Sequence, residues 1–414
     1  MRTQSNAFTN IILVYSLIFV SGAHRYSLNQ DKYLVLVFLM ALAAWYLYTD
    51  RKISGQYLLY TTVFVSILFL LSIYTGGSLS LQSLIATTIK FVLAYFVLKT
   101  VGEKFVDTYT NVLVFLAAVS LPGYLTDVFH LFDQIVTRLP AVGRYGYEGM
   151  LYIFRHSYHP YRNNSIFFEP GAYQGFINSA LFLLLFAKTS FSIRRKWIYI
   201  VILVAALITT NSTTGFVIFF LLFMLFLYKS DMVTRSKKMV TVGLIMVTVA
   251  AFSAQFHETL VVKINDYLNP DILRRGYSAE NRSFDMQTDL KIIRKHVFGL
   301  GYDEYKKEFS RINKVSLKEG SSNGVTSMFA CYGVPYGLFI FISYFWALRK
   351  LTGDLLLTTS AYTMFILFLW GESFYQIAPI SFAIIAAAFV FTRQHGSSEV
   401  ERSRTGVRQQ SKVT

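Results

Sequence analysis

Apolar stretches almost free of charge recur from one end of this chain to the other, and that recurrence limits the fold more than any other feature. A helix needs roughly 20 apolar residues to cross the hydrocarbon of a bilayer. Twelve segments qualify as spans: Phe8 to Gly22, Tyr33 to Tyr48, Tyr57 to Tyr74, Leu81 to Leu98, Tyr109 to Leu125, Ala172 to Phe186, Trp197 to Thr210, Thr214 to Leu227, Met239 to Phe252, Val325 to Leu348, Leu355 to Trp370 and Tyr375 to Phe391. The shorter ones must extend into flanking polar residues. The pair around Asn211-Ser212-Thr213 reads either as two helices with a very tight turn or as one broken unit. Hydrophobic residues make up 54% of the chain and charged residues 15%, with mean hydropathy +0.44, against about 25% charged in soluble domains. Water-soluble folds cannot cover that much apolar surface; lipid-facing ones need not. The chain therefore reads as an all-α polytopic membrane protein with about 12 transmembrane helices.

Lysine and arginine set the expected orientation. Arg51-Lys52, Lys99 with Lys104, Arg194-Arg195-Lys196, Lys229 with Arg235-Lys237-Lys238, and Arg349-Lys350 all fall on one side, whereas short connections on the other carry only Arg25 and Lys32. The positive-inside bias then places both termini in the cytoplasm. It also accounts for much of the +16 net charge without nucleic acid. The start, Met1-Arg2-Thr3-Gln4-Ser5-Asn6, enters the first apolar segment with no convincing small-residue cleavage site, so a spanning helix is expected there instead of a removable signal. A single transmembrane domain over residues 1–392 and a basic cytoplasmic tail over 393–414 follow. The one cysteine, Cys331, excludes a disulfide framework and a Cys-based metal site.

Two long loops, 126–171 and 253–323, fall on the outer side. In the second, Ser283 is placed to cap a helix in which Met286, Leu290, Ile293 and Val297 recur at helical spacing. Gly299-Leu300-Gly301 ends that helix, and Tyr302-Asp303-Glu304-Tyr305 opens a second short one. The pair reads as a partly apolar lid able to rest on the membrane surface. Most of its charges, Asp285 and Asp289 among them, are expected on a solvated face. Arg282 differs, because it precedes the expected helix start and would lie near any head group held by the N-terminal amides.

The first loop ends Tyr161-Arg162-Asn163-Asn164-Ser165-Ile166-Phe167-Phe168-Glu169-Pro170-Gly171 and enters the sixth span. Burial beside that span would raise the pKa of Glu169 and suit it to proton transfer; helix capping is the equal alternative, with Pro170 in the first turn. Arg162 offers a planar cationic fork for phosphate, or a membrane-surface anchor. Glu372 sits between the last two spans on the side of the loops. Lys90, midway along the fourth span, is a weaker lead, since a lysine can snorkel or pair. His130, His156 and His159 lack ligand spacing and read as interface residues, so no metal is expected. No Gly-Lys-Ser/Thr phosphate loop and no Asp-any-Asp triplet occurs, which speaks against ATP drive and against a metal-dependent nucleotide-sugar transferase.

Taken in order, Arg162 with Phe167-Phe168-Glu169-Pro170-Gly171, Thr210-Asn211-Ser212-Thr213-Thr214-Gly215, Arg282 followed by Phe298-Gly299-Leu300-Gly301-Tyr302, and Ser322-Asn323 leading to Tyr332-Gly333-Val334 resemble the bacterial O-antigen polymerase and ligase family. The resemblance runs roughly from Arg162 to Leu348. It implies a GT-C-like membrane glycosyltransferase of polysaccharide and lipopolysaccharide biosynthesis in the inner membrane. Such an enzyme joins undecaprenyl-diphosphate-linked oligosaccharides at the periplasmic face, without metal or cofactor. By that similarity Glu169 and Arg282 take catalytic roles, and Arg162, Arg274, Arg275 and Asn323 bind substrate; Glu372, by its position on the same side, would join them. A chain-length regulator protein and membrane lipid would be the partners. Ser322 stands where ligases of the family commonly carry histidine, which favours polymerase over ligase. Arg162 and Gly175 are twelve residues apart inside, not the ten described for some polymerases, and neither Gly299 nor Gly301 has an arginine at that spacing. A flippase for the same lipid and an acyltransferase are the competing classes. The flippase would be expected to show repeat symmetry, which is not visible; the acyltransferase would need a persuasive base histidine.

Overall fold

The computed structural model describes residues 6–21, 23, 53–76, 81–141, 146–149, 151–156, 160–229, 279–313, 320–372 and 374–391, with the backbone alone for 81–83, 148, 279–283 and 374–380. The expected spans Tyr33 to Tyr48 and Met239 to Phe252 lie outside the described residues, as do Arg274, Arg275 and the basic tail. Each of the remaining expected spans is a helix.

The described helices are α1 (Ala7–Phe19), α2 (Gly55–Tyr74), α3 (Leu81–Val101), α4 (Phe105–Val128), a single turn α5 (Asp133–Val136), α6 (Pro170–Phe186), α7 (Ile193–Thr209), α8 (Thr213–Lys229), α9 (Ala279–Lys295), α10 (Tyr302–Asn313), α11 (Gly324–Thr352), α12 (Leu355–Gly371) and α13 (Phe374–Val390). Two short antiparallel strands, β1 (Tyr147–Glu148) and β2 (Ile153–Phe154), pair in the loop before α6. Three helical runs are long and apolar enough to cross a membrane: α2, the run Leu84–Val128 through α3 and α4, and α11. The other apolar helices are shorter. Asn211, with φ 48°, makes the sharp reversal between α7 and α8, so this pair is two helices with a tight turn.

Aromatic side chains fill the spaces between helices. Tyr57 of α2 stacks on Tyr95 of α3 with ring centroids 3.8 Å apart, and its hydroxyl donates to the Phe91 carbonyl at 3.1 Å. Phe64, Phe91 and Phe382 join α2, α3 and α13, while Tyr344 of α11 stacks on Phe365 of α12 at 3.9 Å. Lys90 is half-buried on α3 and forms no ion pair among the described residues.

α11 is longer than the expected span and is broken at Gly333, whose φ of 84° is a left-handed value that favours glycine. In an unbroken helix the carbonyls of Ala330 and Cys331 would accept from residues 334 and 335. Pro335 has no N–H to give. The loop after α9 replaces both bonds: Leu300 N donates to Ala330 O at 3.1 Å and Gly301 N to Cys331 O at 2.9 Å. In return Val334 N donates to Val297 O at 2.8 Å. Gly299 approaches so closely that a Cβ on it would lie 2.5 Å from Gly333 N. The glycines of the two motifs thus face each other.

Candidate functional site

The segment 160–169 is sewn into the bundle by Asn163. Its backbone N donates to Thr209 O at 2.9 Å, and its Nδ2 reaches Thr209 Oγ1 at 2.9 Å and Ser120 Oγ at 3.0 Å. Phe167 stacks on Tyr173 with centroids 5.1 Å apart, and Phe168 N donates to Ala23 O at 2.9 Å. Arg162 Nε donates to Thr210 O at 2.9 Å, which links the first motif to the second. His156 is buried and its Nε2–H donates to Phe168 O at 3.1 Å. Burial holds its pKa below the usual imidazole value, with the Phe168 carbonyl opposing and the Arg162 charge adding to the fall. Among the described residues no three His, Cys, Asp or Glu side chains are grouped to hold a metal ion.

Glu169 occupies the residue before α6, with Pro170 first in the helix, yet its carboxylate makes no capping hydrogen bond. It is half-buried. Glu372, at the end of α12, is 5% exposed. A Cβ on Gly171 would collide with Glu372 Oε1, and one on Gly324 with the Glu372 backbone carbonyl. These glycines therefore bring Glu372 against the Glu169-Pro170-Gly171 turn on one side and Asn323-Gly324 on the other. Asn323 is fully buried; its Oδ1 accepts from the backbone N of Val325 and Thr326, each at 3.1 Å, and caps α11. Its Nδ2 has no hydrogen-bond partner among the described residues.

α9 lies against this end of α11 and departs from expectation in two ways, the position of Arg282 and the burial of its two aspartates. It begins at Ala279, so Arg282 belongs to its first turn and does not precede the helix. Its buried face is not the apolar stripe but Asp285, Thr288, Asp289 and Ile292, whereas Leu290 and Val297 are exposed. Asp285 and Asp289 accordingly do not lie on a solvated face. Asp285 Oδ2 accepts from Ser322 N at 2.8 Å and Ser322 Oγ at 2.7 Å. Asp289 Oδ1 accepts from Tyr305 Oη at 2.7 Å, and its Oδ2 from Ser321 Oγ at 2.7 Å and Thr326 Oγ1 at 2.6 Å. Burial pushes Asp289 up to about 7; the hydroxyl donors of Thr326, Ser321 and Tyr305 oppose the rise and the Asp285 charge adds to it. The one signal for this docking in the sequence was a pair of carboxylates four residues apart, matched to the hydroxyls of Ser321, Ser322 and Thr326.

One turn beyond Gly171, Gly175 lines a cavity of about 420 Å³ between α1, α4, α6, α11, α12 and α13 that runs on to Phe105, Lys188 and Thr352 at the other end of the bundle; its volume is within the usual size of ligand sites. Its walls are mostly apolar, with Phe105, Phe182, Phe365 and Phe368 among them. Asn178 with Tyr109 and Ser179, whose hydroxyls are 2.6 Å apart, forms one polar spot, and Lys188, Thr352 and Ser381 also line it.

Of the expected site residues, Glu169, Asn323 and Glu372 are brought to one end of the bundle, and Arg162 enters through the neighbouring turn. Arg282 lies on the docked helix, its side chain outside the described residues. The molecule so defined is a mostly helical protein with helices fit to cross a membrane. No family model matches the chain, and no curated protein matches it significantly.

Proposed function

We propose that this protein is a polysaccharide polymerase of about twelve spans that joins undecaprenyl-diphosphate-linked repeat units at the periplasmic face of the bacterial inner membrane. The observation that carries the reading is the convergence of Glu169, Asn323 and Glu372 beneath a docked loop helix, one turn from an apolar cavity. That layout suits an amphiphile with a polar head at the surface and a hydrocarbon chain below. In the reaction, an acceptor hydroxyl oxygen attacks the anomeric carbon of the donor. The bond from that carbon to the diphosphate oxygen breaks, and undecaprenyl diphosphate leaves with the electron pair. Glu169 takes the hydroxyl proton. Arg282 and Arg162, with Arg274 and Arg275, stabilise the negative charge that grows on the leaving group. Asn323 and Glu372 hydrogen-bond the sugar, the Asn323 amide being a donor already held in place.

The test is the surface-glycan ladder of a deletion strain. Loss of a polymerase leaves single repeat units on the lipid core, because capping by one unit needs a ligase and no polymerase. A core with no glycan at all would instead identify a ligase or a flippase. A full ladder lacking one substituent would identify an acyltransferase.

A further inference from the structure

The apolar stripe that runs along α9 onto the turn after it, and that α11 does not cover, needs an occupant. Leu290 is 40% exposed, Val297 49% and Phe298 48%, with Met286 and Ile293 half-buried beside them. α2 is long and apolar enough to cross a membrane and exposes Phe69, Leu70, Ile73 and Tyr74, as a lipid-facing helix does. The ring of Tyr74, at the end of α2, meets that of Phe298 with centroids 5.1 Å apart. The lipid-facing surface of α2 therefore runs through this ring contact onto Phe298 and Val297. Aromatic side chains at the end of a spanning helix mark the headgroup level, so the stripe ends, at Phe298, at that level. Charge points the same way. Asp285 and Asp289 are turned inward against α11, whereas Lys291 and Arg294 are exposed.

We propose that α9 is an interfacial helix. Met286, Leu290, Ile293, Val297 and Phe298 lie in the leaflet at the Tyr74 end of α2, and Lys291 and Arg294 hold the phosphates of anionic lipid. A helix with one apolar side and cations at its border lies in the plane of a bilayer surface in this way. The lid is then held by two surfaces, carboxylates to α11 on one side and lipid on the other, whatever reaction the protein catalyses.

Spin labels on the full chain in nanodiscs of anionic phospholipid test this. Leu290→Cys and, independently, Val297→Cys carry the label, Arg311→Cys on exposed α10 is the solvent control, and native Cys331 is buried. Labels at 290 and 297 should collide with dissolved oxygen more often than with a water-soluble nickel chelate, and the label at 311 the reverse. Adding Lys291→Glu with Arg294→Glu should move the labels at 290 and 297 toward the chelate. Chelate access at 290 and 297 equal to that at 311 would overturn the proposal by placing the stripe in water. Shielding from both reagents would overturn it too, because a protein surface, such as a second copy, would then be the occupant.

Discussion

A carboxylate that is fully buried and still touches three hydroxyls is a sensitive element of any site, and Asp289 is one. Burial disfavours its charged form, so the docked helix holds the proton more tightly than a solvated carboxyl does. With Asp289 raised from 3.8 to about 7, docking of α9 is fully favoured below about pH 3.8 and weakens as pH climbs toward 7. Hydrogen exchange of the α9 amides, corrected for intrinsic rates, should show less protection at pH 8 than at pH 5. Asp289→Asn should abolish that difference; if it persists, another group titrates. Arg282 acts through its charge. A charge-assisted hydrogen bond contributes roughly 1.5–3 kcal/mol, so Arg282→Ala should slow transfer by about one to two orders of magnitude at roughly 1.4 kcal/mol per tenfold. Arg282→Lys should restore part of it, since the charge returns without the fork. Lys306, whose ammonium lies 4.8 Å from the Tyr302 ring centre, should tolerate alanine. Ladder length at matched membrane abundance is the measurement, and full-length polymer from an abundant Arg282→Ala protein would remove Arg282 from the site.

Among the elements, the break in α11 permits a sharper test. Gly333→Ala meets two obstacles: a left-handed φ, which costs a non-glycine residue about 1–3 kcal/mol, and collision with the Phe298 backbone. Gly353, at the other end of α11, also has a left-handed φ but nothing within 4 Å of its would-be Cβ. Gly353→Ala should therefore lower the melting temperature modestly, and Gly333→Ala by clearly more, with loss of exchange protection at 300 and 301. Equal shifts would mean that the contact with Phe298 adds nothing. The same elements mark what can be read from a sequence. Spans are legible because lipid demands one unbroken apolar run per helix, a property of the chain taken one residue at a time. The buried side of α9 is not, since a charged residue in a loop helix is expected in water, whereas partners supplied by Ser321, Ser322 and Thr326 bury Asp285 and Asp289. Glu372 was legible as a position near the loops, but its contact with Gly171 and Gly324 depends on two helix ends meeting in space.

For the molecule as a whole, sidedness decides whether the site can meet a lipid-linked glycan. Reporter fusions after Tyr145 and after Lys307 should both mark an external location, and one after Lys238 a cytoplasmic one. A cytoplasmic signal at Lys307 would put α9 on the wrong side and end the polymerase reading. The exchange of hydrogen bonds between the loop and the broken helix also bears on how the protein is made. Leu300 and Gly301 leave the ribosome before Gly333 and Pro335 do, so the donors are synthesised ahead of the carbonyls that need them. An unpaired backbone carbonyl buried away from water costs free energy comparable to a lost hydrogen bond, and α11 presents two of them. Its settling into the bilayer is thus tied to a loop already delivered to its place, and a chain that stalls between those residues would leave the loop without its helix.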